Sequence, residues 1–170
     1  MPEPGTTALV ILLPGAEPAL AAARRVDPAV VRPGLPAHVT ALYPFLPDDS
    51  VTPTVLAAVR SLASAVAPAS VRLAELLTTP GFVALPAPSL QPITDAVCDR
   101  WPEVAPYGGR FGPRPPAHVT VAMGGDEETL SRVGDEVRPL LPLTAHATSL
   151  QLVALTEHGW QPRLDAPFTG

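Results

Sequence analysis

A five-residue segment, Pro-Ala-His-Val-Thr, occurs twice in the sequence, at 36–40 and again at 116–120. Apolar residues follow each copy, which predicts that both copies open a β-strand. Side chains at positions i and i+2 of a strand point to the same face, so His38 and Thr40 project together. The valine between them projects to the other face, where a core is expected. Each copy therefore presents one imidazole and one hydroxyl from a rigid element.

Two such pairs facing one cleft would supply two proton-transfer groups and two hydroxyl donors. An imidazole titrates near pH 6.5, so His38 and His118 are candidates for a catalytic acid and base. The hydroxyls of Thr40 and Thr120 are candidates for binding the phosphoryl oxygens and stabilising negative charge in the transition state. A single strand histidine is more often a structural residue, but the repetition argues against that here. The pattern suits chemistry on a phosphodiester, and it leaves open which histidine is the base.

The two His-x-Thr motifs, with His118 placed 80 positions after His38 and each opening a strand, resemble those of the 2H phosphoesterase superfamily. This superfamily includes 2′-5′ RNA ligase-like proteins and RNA 2′,3′-cyclic phosphodiesterases. The resemblance implies a bilobal fold in which each lobe gives one motif to a central groove. It also implies that both histidines are catalytic, and that opening of a cyclic phosphate to a 2′-phosphate is the leading activity.

Neither a metal nor a cofactor is expected. No carboxylate lies near either motif in the sequence to complete a metal shell, and no zinc spacing of Cys and His is present. The sequence also lacks a P-loop, a dinucleotide-binding fingerprint and a Gly-x-Ser-x-Gly element. The expected activity is therefore a metal-independent phosphoesterase with a small nucleotide or an RNA end as its substrate. Two alternatives stay open, namely a phosphate-binding module without turnover and a cyclic phosphodiesterase that acts on a non-RNA metabolite.

Composition is consistent with that substrate class. The 170 residues carry a net charge of −5, and their eleven basic residues are all arginines without a basic run. An extended track for long nucleic acid is therefore not expected. The one cysteine, Cys98, permits no intramolecular disulfide and favours a reducing, cytoplasmic setting. The apolar run at 8–13 is too short to span a bilayer, and we expect a buried strand there, no membrane contact and a monomer.

Residues 1–170 are expected to form a single domain of two lobes. Hydrophobic periodicity and the placement of Gly and Pro give the order of its elements. The expected strands are 7–13, 38–45, 70–78, 82–85, 118–123, 143–156 and 160–164, and the expected helices are 17–26, 52–66, 88–101 and 126–140. A long loop at 103–116 leads into the second motif.

The order of these elements repeats when the chain is divided near Pro86, apart from an extra first strand. The fold class is therefore predicted as α+β, a duplicated unit with pseudo-twofold symmetry. Mainly antiparallel sheets would line the central groove, with the helices outside. A doubly wound parallel sheet is the alternative for strands separated by helices. The two predicted hairpins and the absence of a glycine-rich phosphate loop argue against it.

Aromatic residues near the motifs are further candidates for substrate contacts. Strand alternation places Tyr43 on the face opposite Thr40, which favours core packing over stacking on a base. Phe45 and Phe82 are open to the same two interpretations.

Three loop arginines, Arg32, Arg110 and Arg114, flank the motifs and are candidates to clamp a second phosphate, although solvated surface is the commoner role. The remaining histidines, His146 and His158, lack a threonine partner and are expected on the surface.

Overall fold

In the computed structural model of the chain, the described residues are 2–170. They form nine strands and four α-helices, joined in several places by short 3₁₀ turns. The strands are β1 (Thr7–Leu12), β2 (His38–Leu42), β3 (Ala69–Leu73), β4 (Leu77–Thr79), β5 (Phe82–Pro86), β6 (His118–Met123), β7 (Leu143–Ala147), β8 (Ser149–Thr156) and β9 (Gly159–Pro167). The helices are α1 (Glu17–Val26), α2 (Pro53–Ser64), α3 (Gln91–Arg100) and α4 (Glu127–Val137).

The strands build two antiparallel sheets within residues 2–170. The main sheet has seven strands in the order β4-β5-β6-β2-β1-β8-β9, and the small sheet pairs β3 with β7. Each neighbouring pair in both sheets is antiparallel. The two motif strands, β2 and β6, lie next to each other near the middle of the main sheet. The predicted α+β class with antiparallel sheets is therefore confirmed.

The core lies on one face of the main sheet, where the helices and the small sheet cover it. Buried side chains from both sheets and all four helices form one continuous cluster there. Its members include Ile11, Val39, Leu85, Val119 and Leu152 from the main sheet, Leu20, Val59, Val97 and Val133 from the helices, and Val71 from the small sheet. The opposite face carries only a small apolar cluster of Ala8, Val10 and Val153. That face is consequently available for polar side chains.

The duplicated unit runs β1–α1–β2–α2–β3 and recurs as β5–α3–β6–α4–β7. The predicted division near Pro86 was wrong, because β5 begins the second unit instead of ending the first. β5 pairs with β6 as β1 pairs with β2, so the first strand of the chain is no extra element. The last strands of the two units, β3 and β7, pair with each other in the small sheet.

Two expected strands are each broken in the structure. The span 70–78 is divided between β3 in the small sheet and β4 in the main sheet, and 143–156 is divided between β7 and β8. In the second span the buried positions change from odd, at Ala145 and Ala147, to even, at Leu150 and Leu152. Side chains of one regular strand that face the same core share one parity, and all four of these belong to the main core, so this change marks the point where the chain leaves one sheet for the other.

Helix boundaries follow the capping residues. The Thr52 side chain accepts a hydrogen bond from the Val55 N–H, and Asp126 accepts one from Thr129, each at the start of a helix. The predicted bounds of α1 are confirmed, whereas the first motif strand ends at Leu42, earlier than expected. None of the helices within residues 2–170 is long and apolar enough to cross a bilayer.

Candidate active site

The two repeated pentapeptides lie side by side in opposite directions. Val39 of β2 is paired with Val119 of β6, and both side chains are fully buried in the core beneath the sheet. Strand alternation then sends the residues on either side of each valine to the opposite, accessible face. Burial of the two valines therefore fixes which face the motif side chains occupy.

Both histidines and both threonines consequently share one face of the main sheet. In the antiparallel register set by the valine pair, Thr120 lies opposite His38, and Thr40 lies opposite His118. Directly opposite residues have Cβ atoms about 4.5–5.5 Å apart, and diagonal neighbours are about 7–8 Å apart. The imidazoles occupy one diagonal of this four-residue group and the hydroxyls occupy the other. The structure thus brings the four predicted residues together.

Each imidazole is oriented by the backbone of its own pentapeptide. Nδ1 of His38 lies 2.7 Å from the Pro36 carbonyl oxygen, and Nδ1 of His118 lies 2.7 Å from that of Pro116. A carbonyl can only accept, so Nδ1 carries the proton in both rings. In a neutral ring the free lone pair is then on Nε2. Both rings can therefore offer Nε2 for proton transfer.

The surroundings of His38 favour its neutral form. Burial lowers the pKa of His38 most, the hydrogen bond to the Pro36 carbonyl raises it, the charge of His118 lowers it, and the charge of Glu17 raises it. The net direction is downward from the ordinary value. A lowered pKa leaves an imidazole unprotonated at neutral pH, which is the form that can accept a proton.

Two side chains that the sequence motifs did not indicate bind the backbone just before the histidines, one at each motif. Glu17, at the start of α1, accepts a hydrogen bond from the N–H of Ala37 through Oε1. Gln91, at the start of α3, accepts the equivalent bond from the N–H of Ala117 at 2.7 Å. Gln91 also donates from Nε2 to the Pro115 carbonyl at 3.1 Å. Each side chain thereby fixes the residue that precedes a catalytic candidate.

A weak signal for these two residues is present in the sequence. Each lies in a Pro-x-x-Glu/Gln-Pro segment, at 14–18 and at 88–92. Both segments follow the first strand of their unit and form a 3₁₀ turn that leads into a helix. The two segments occupy the same place in the duplicated unit, but one supplies a carboxylate and the other an amide.

A β-bulge follows the threonine of each motif. Leu9 and Val10 of β1 face Leu42 and Thr40 of β2, so Ala41 is an extra residue on the motif strand. The pairing of β5 with β6 shifts in the same way, and Val121 is the extra residue there. A bulge interrupts the alternation of side chains between the two faces. Residues beyond each bulge therefore lie on the face opposite to the one that simple alternation predicts.

This bulge corrects the prediction for Tyr43, which was expected on the face opposite Thr40. Tyr43 instead packs beside Ala8, Val10 and Val153 on the accessible face. Its ring centroid also lies 5.9 Å from that of Tyr107 and 6.3 Å from that of Trp160. Phe111, at 5.4 Å from Tyr107, extends this group and is 55% exposed. We call Tyr43, Tyr107, Phe111 and Trp160 the aromatic wall.

The two phenylalanine candidates differ in position. Phe45 is buried and packs edge-on against Trp101, which places it in the core. Phe82 of β5 packs edge-on against the imidazole of His118, with ring centroids 5.4 Å apart. Phe82 therefore borders the group of four motif residues.

The flanking arginines are exposed and differ in their partners. Arg114 forms an ion pair with Asp99 at 2.6 Å and approaches Asp95 at 3.9 Å. Arg110 lies over the ring of Phe111, with its guanidinium carbon 5.3 Å from the centroid. Arg32 makes no ion pair within residues 2–170. Their contact with a second phosphate stays a prediction.

The other two histidines lie away from the motifs along the chain. His146 is exposed on β7, where Nδ1 is 3.3 Å from the Ser70 hydroxyl, and His158 is exposed in the turn between β8 and β9. Within the described chain, 2–170, no group of three or more His, Cys, Asp or Glu side chains is arranged to hold a metal ion.

Comparison with known proteins decides the family. A model of the 2′-5′ RNA ligase superfamily matches residues 13–159, a span that includes both His-x-Thr motifs. The chain belongs to the 2′-5′ RNA ligase superfamily. No curated protein sequence matches it significantly.

Solved structures share the fold of this superfamily member at low sequence identity. The protein TT0787 of Thermus thermophilus superposes with a TM-score of 0.60 at 17% identity, over 97% of this chain and 98% of the other. Escherichia coli LigT superposes with a TM-score of 0.55 at 17% identity in its complex with NADP+, and 0.56 at 16% identity in its complex with 3′-AMP. Both LigT matches cover 99% of this chain and 100% of LigT. The resemblance to 2H phosphoesterases found in the sequence is confirmed at the level of family and fold.

Proposed function

We propose that this protein is a metal-independent phosphodiesterase that hydrolyses a 2′,3′-cyclic phosphate, or a 2′-5′ phosphodiester, at an RNA end or in a small nucleotide. The observation that carries the proposal is the pairing of Val39 with Val119, which sets two imidazoles and two hydroxyls on one face of the main sheet. Membership of the 2′-5′ RNA ligase superfamily supports the same class of reaction. The nucleotides in the two LigT structures support a nucleotide substrate.

The hydroxyls of Thr40 and Thr120 would bind the two non-bridging oxygens of the phosphate. Each hydroxyl donates one hydrogen bond, and these bonds strengthen as negative charge builds up on the oxygens in the transition state. The two threonines lie on opposite corners of the four-residue group, so they approach the phosphate from two sides. The phosphorus would then lie between the imidazoles of His38 and His118.

The two histidines would divide the proton transfers. His38 is assigned as the general base, because its lowered pKa keeps Nε2 unprotonated near neutrality. It takes a proton from water as the water oxygen bonds to phosphorus. His118, in its protonated form, donates a proton to the ribose 3′-oxygen as the bond from that oxygen to phosphorus breaks. The product is a 2′-phosphate, and His38 ends protonated while His118 ends neutral.

The abundance of water favours hydrolysis over ligation. Ligation follows the same course as hydrolysis with a 5′-hydroxyl in place of water, so that His38 takes the proton of this hydroxyl and His118 protonates the departing 3′-oxygen; cleavage of a 2′-5′ phosphodiester by the 3′-hydroxyl is the reverse of that step, with the two histidines exchanging roles. Water greatly outnumbers any RNA hydroxyl, so cleavage is expected to dominate.

A reducing compartment such as the cytoplasm suits the single thiol of Cys98, which is buried and unpaired.

The test is turnover of 2′,3′-cyclic nucleotides in excess EDTA, followed by chromatography of the products. The wild-type protein should form the nucleoside 2′-phosphate, and His38→Ala or His118→Ala should reduce kcat by about 10²–10⁴-fold. Thr40→Val and Thr120→Val keep the shape of the side chain, and each should cost about 10²-fold in kcat. His146→Ala, on the small sheet, is the matched control and should retain full activity.

Three results would contradict the proposal. Inhibition by EDTA that added metal reverses would remove the metal-independent mechanism. Near-normal turnover by either histidine variant would remove the acid–base assignment. Binding of cyclic nucleotides without any product would identify a phosphate-binding module instead.

A further inference from the structure

Phe82 places an aromatic ring beside one of the two catalytic candidates. Its ring centroid lies 5.4 Å from that of the His118 imidazole, and the two ring planes meet at 82°. This is the edge-to-face arrangement that aromatic pairs favour. No aromatic ring within residues 2–170 is paired with His38 in this way. The contact therefore distinguishes the second motif from the first.

The ring of Phe82 is not part of the apolar core. Phenylalanine is among the residues most often buried in a core. In the part of the chain that the structure describes, however, Phe82 is only half-buried and packs against neither the main core cluster nor the small apolar cluster on the accessible face. Because the ring instead contacts an imidazole of the proposed site, we looked for a role in that site.

The backbone of Phe82 is held on both sides. Phe82 opens β5, where it pairs with Thr79 of β4 on one side and with Met123 of β6 on the other. The turn before it is also held, since the N–H of Gly124 donates a hydrogen bond to the Gly81 carbonyl at 3.0 Å. Side chains on the strands of a sheet are positioned more precisely than side chains on loops. Phe82 can thus act as a fixed support for a neighbouring ring.

The imidazole of His118 requires more than one contact to fix its orientation. Its Nδ1 is held by the Pro116 carbonyl, which fixes one corner of the ring. The torsion about the bond between Cβ and the ring has broad minima, so rotamer preference alone does not direct Nε2. A proton donor must keep this atom aimed at the departing oxygen, because small misplacements of catalytic groups are costly. The edge-on ring of Phe82 supplies a second contact to the same imidazole.

We propose that Phe82 is a positioning residue, whose ring holds the His118 imidazole in the orientation that delivers the Nε2 proton to the departing 3′-oxygen. This inference rests on the function proposed above. In that mechanism Phe82 touches no reacting atom and acts only through His118.

The duplicated unit shows that this ring is specific to the second motif. Phe82 lies two positions before the β5 residue that pairs with Thr120. Ala8 lies two positions before the β1 residue that pairs with Thr40, so it occupies the equivalent place in the first unit. The first unit thus has a methyl group where the second has an aromatic ring. The two imidazoles are supported differently, in line with their different roles as base and acid.

Turnover of a 2′,3′-cyclic nucleotide by three variants tests the proposal. Phe82→Leu keeps an apolar side chain but removes the ring, and it should lower kcat about three- to tenfold, which corresponds to the loss of one aromatic pair. KM should change by less than about twofold, because Phe82 does not hold the phosphate. Phe82→Tyr restores the ring and should restore kcat. Met123→Leu changes the cross-strand neighbour on the same face, and as the matched control it should keep the wild-type kcat.

NMR relaxation of the imidazole ring carbons supplies a measurement that needs no catalysis. The chain has four histidines, so single His→Ala variants assign the ring signals. Phe82→Leu should lower the order parameter of the His118 ring and leave that of the His38 ring unchanged. Phe82→Tyr and Met123→Leu should leave both rings as rigid as in the wild type.

Three results would overturn the proposal. The first is an unchanged kcat and an unchanged His118 order parameter in Phe82→Leu. The second is a loss of kcat in Phe82→Leu while the His118 ring stays rigid, which would assign Phe82 to another role. The third is an equal loss in Met123→Leu, which would indicate general repacking at this end of the β5–β6 pair. Thermal denaturation of each variant shows whether the fold is retained.

The relaxation measurement also separates this inference from the proposed function. If the wild-type protein turns over no cyclic nucleotide, the proposed function fails. The mobility of the His118 ring in Phe82→Leu would still show whether Phe82 holds the imidazole, with a more mobile ring supporting that role and an equally rigid ring overturning it.

Discussion

Replacing Gln91 with methionine should destabilise the protein and weaken catalysis, although Gln91 contacts no reacting atom in the proposed mechanism. Methionine matches glutamine in length and helix propensity, so the change removes hydrogen bonds with little change in volume. The N–H of Ala117 loses its acceptor, and Ala117 is buried. The bonds from Gln91 to the Pro115 carbonyl and to Asp95 are lost as well.

The cost can be worked out from these contacts. A buried N–H left without a partner costs about 1–3 kcal/mol, so we expect a loss of about 2 kcal/mol in the free energy of unfolding. For a domain of this size that corresponds to a fall of about 4–8 °C in melting temperature. The loop that carries Pro116 also loosens, and the carbonyl of Pro116 holds the His118 ring. Because small misplacements of catalytic groups are costly, kcat should fall by roughly tenfold or more.

Gln91→Glu is the matched control. Its carboxylate keeps an acceptor for Ala117, as Glu17 does for Ala37 in the first unit, but loses the two donated bonds and adds a like charge near Asp95. The expected loss of stability is about half that of Gln91→Met, and kcat should stay nearer to the wild-type value. Calorimetry and turnover of a cyclic nucleotide measure both. A melting temperature and kcat for Gln91→Met equal to those of the wild type would refute this account of the loop.

Two further changes test the first unit. In Gly15→Ala the new Cβ would overlap the Thr144 carbonyl oxygen and lie 2.7 Å from Ala145 Cα. We therefore expect urea denaturation to show a loss of about 1–3 kcal/mol in the free energy of unfolding. An unchanged urea midpoint would contradict the close packing. Glu17→Gln removes a charge that raises the pKa of His38, so that pKa should fall further. The acid limb of kcat/KM against pH should then move to lower pH, and a move to higher pH would oppose His38 as the base.

Much of the site follows from local rules that a sequence makes visible. The placement of His38 with Thr40 needs only the alternation of a strand, and the burial of Val39 needs only its apolar character. The bounds of α1 follow from its periodicity and its flanking residues. These features depend on neighbours within a few positions of the chain, which is why they could be predicted.

The features that could not be predicted depend on contacts between distant segments. The bulge at Ala41 is defined by pairing with β1, and it reverses the face on which Tyr43 lies. Between β7 and β8 the chain passes from the small sheet to the main sheet. The only residue between the two strands is Thr148, which is a weak indication of a break in the sequence. Tyr107 contacts Tyr43 only because a long loop crosses between the two units. Local patterns carry little information about such pairings.

The register at Val39 and Val119 has a consequence for the direction of the reaction. An approximate twofold axis passes between these two valines. In a displacement at phosphorus, the entering and departing oxygens stand on opposite sides of the central atom, so that transition state has nearly the same symmetry as the protein around it. A perfectly symmetric cleft would treat both oxygens alike. The two units differ in that the first has Glu17 where the second has Gln91, and in that the tyrosines lie beside the first motif alone. These differences allow the cleft to distinguish the entering oxygen from the departing one.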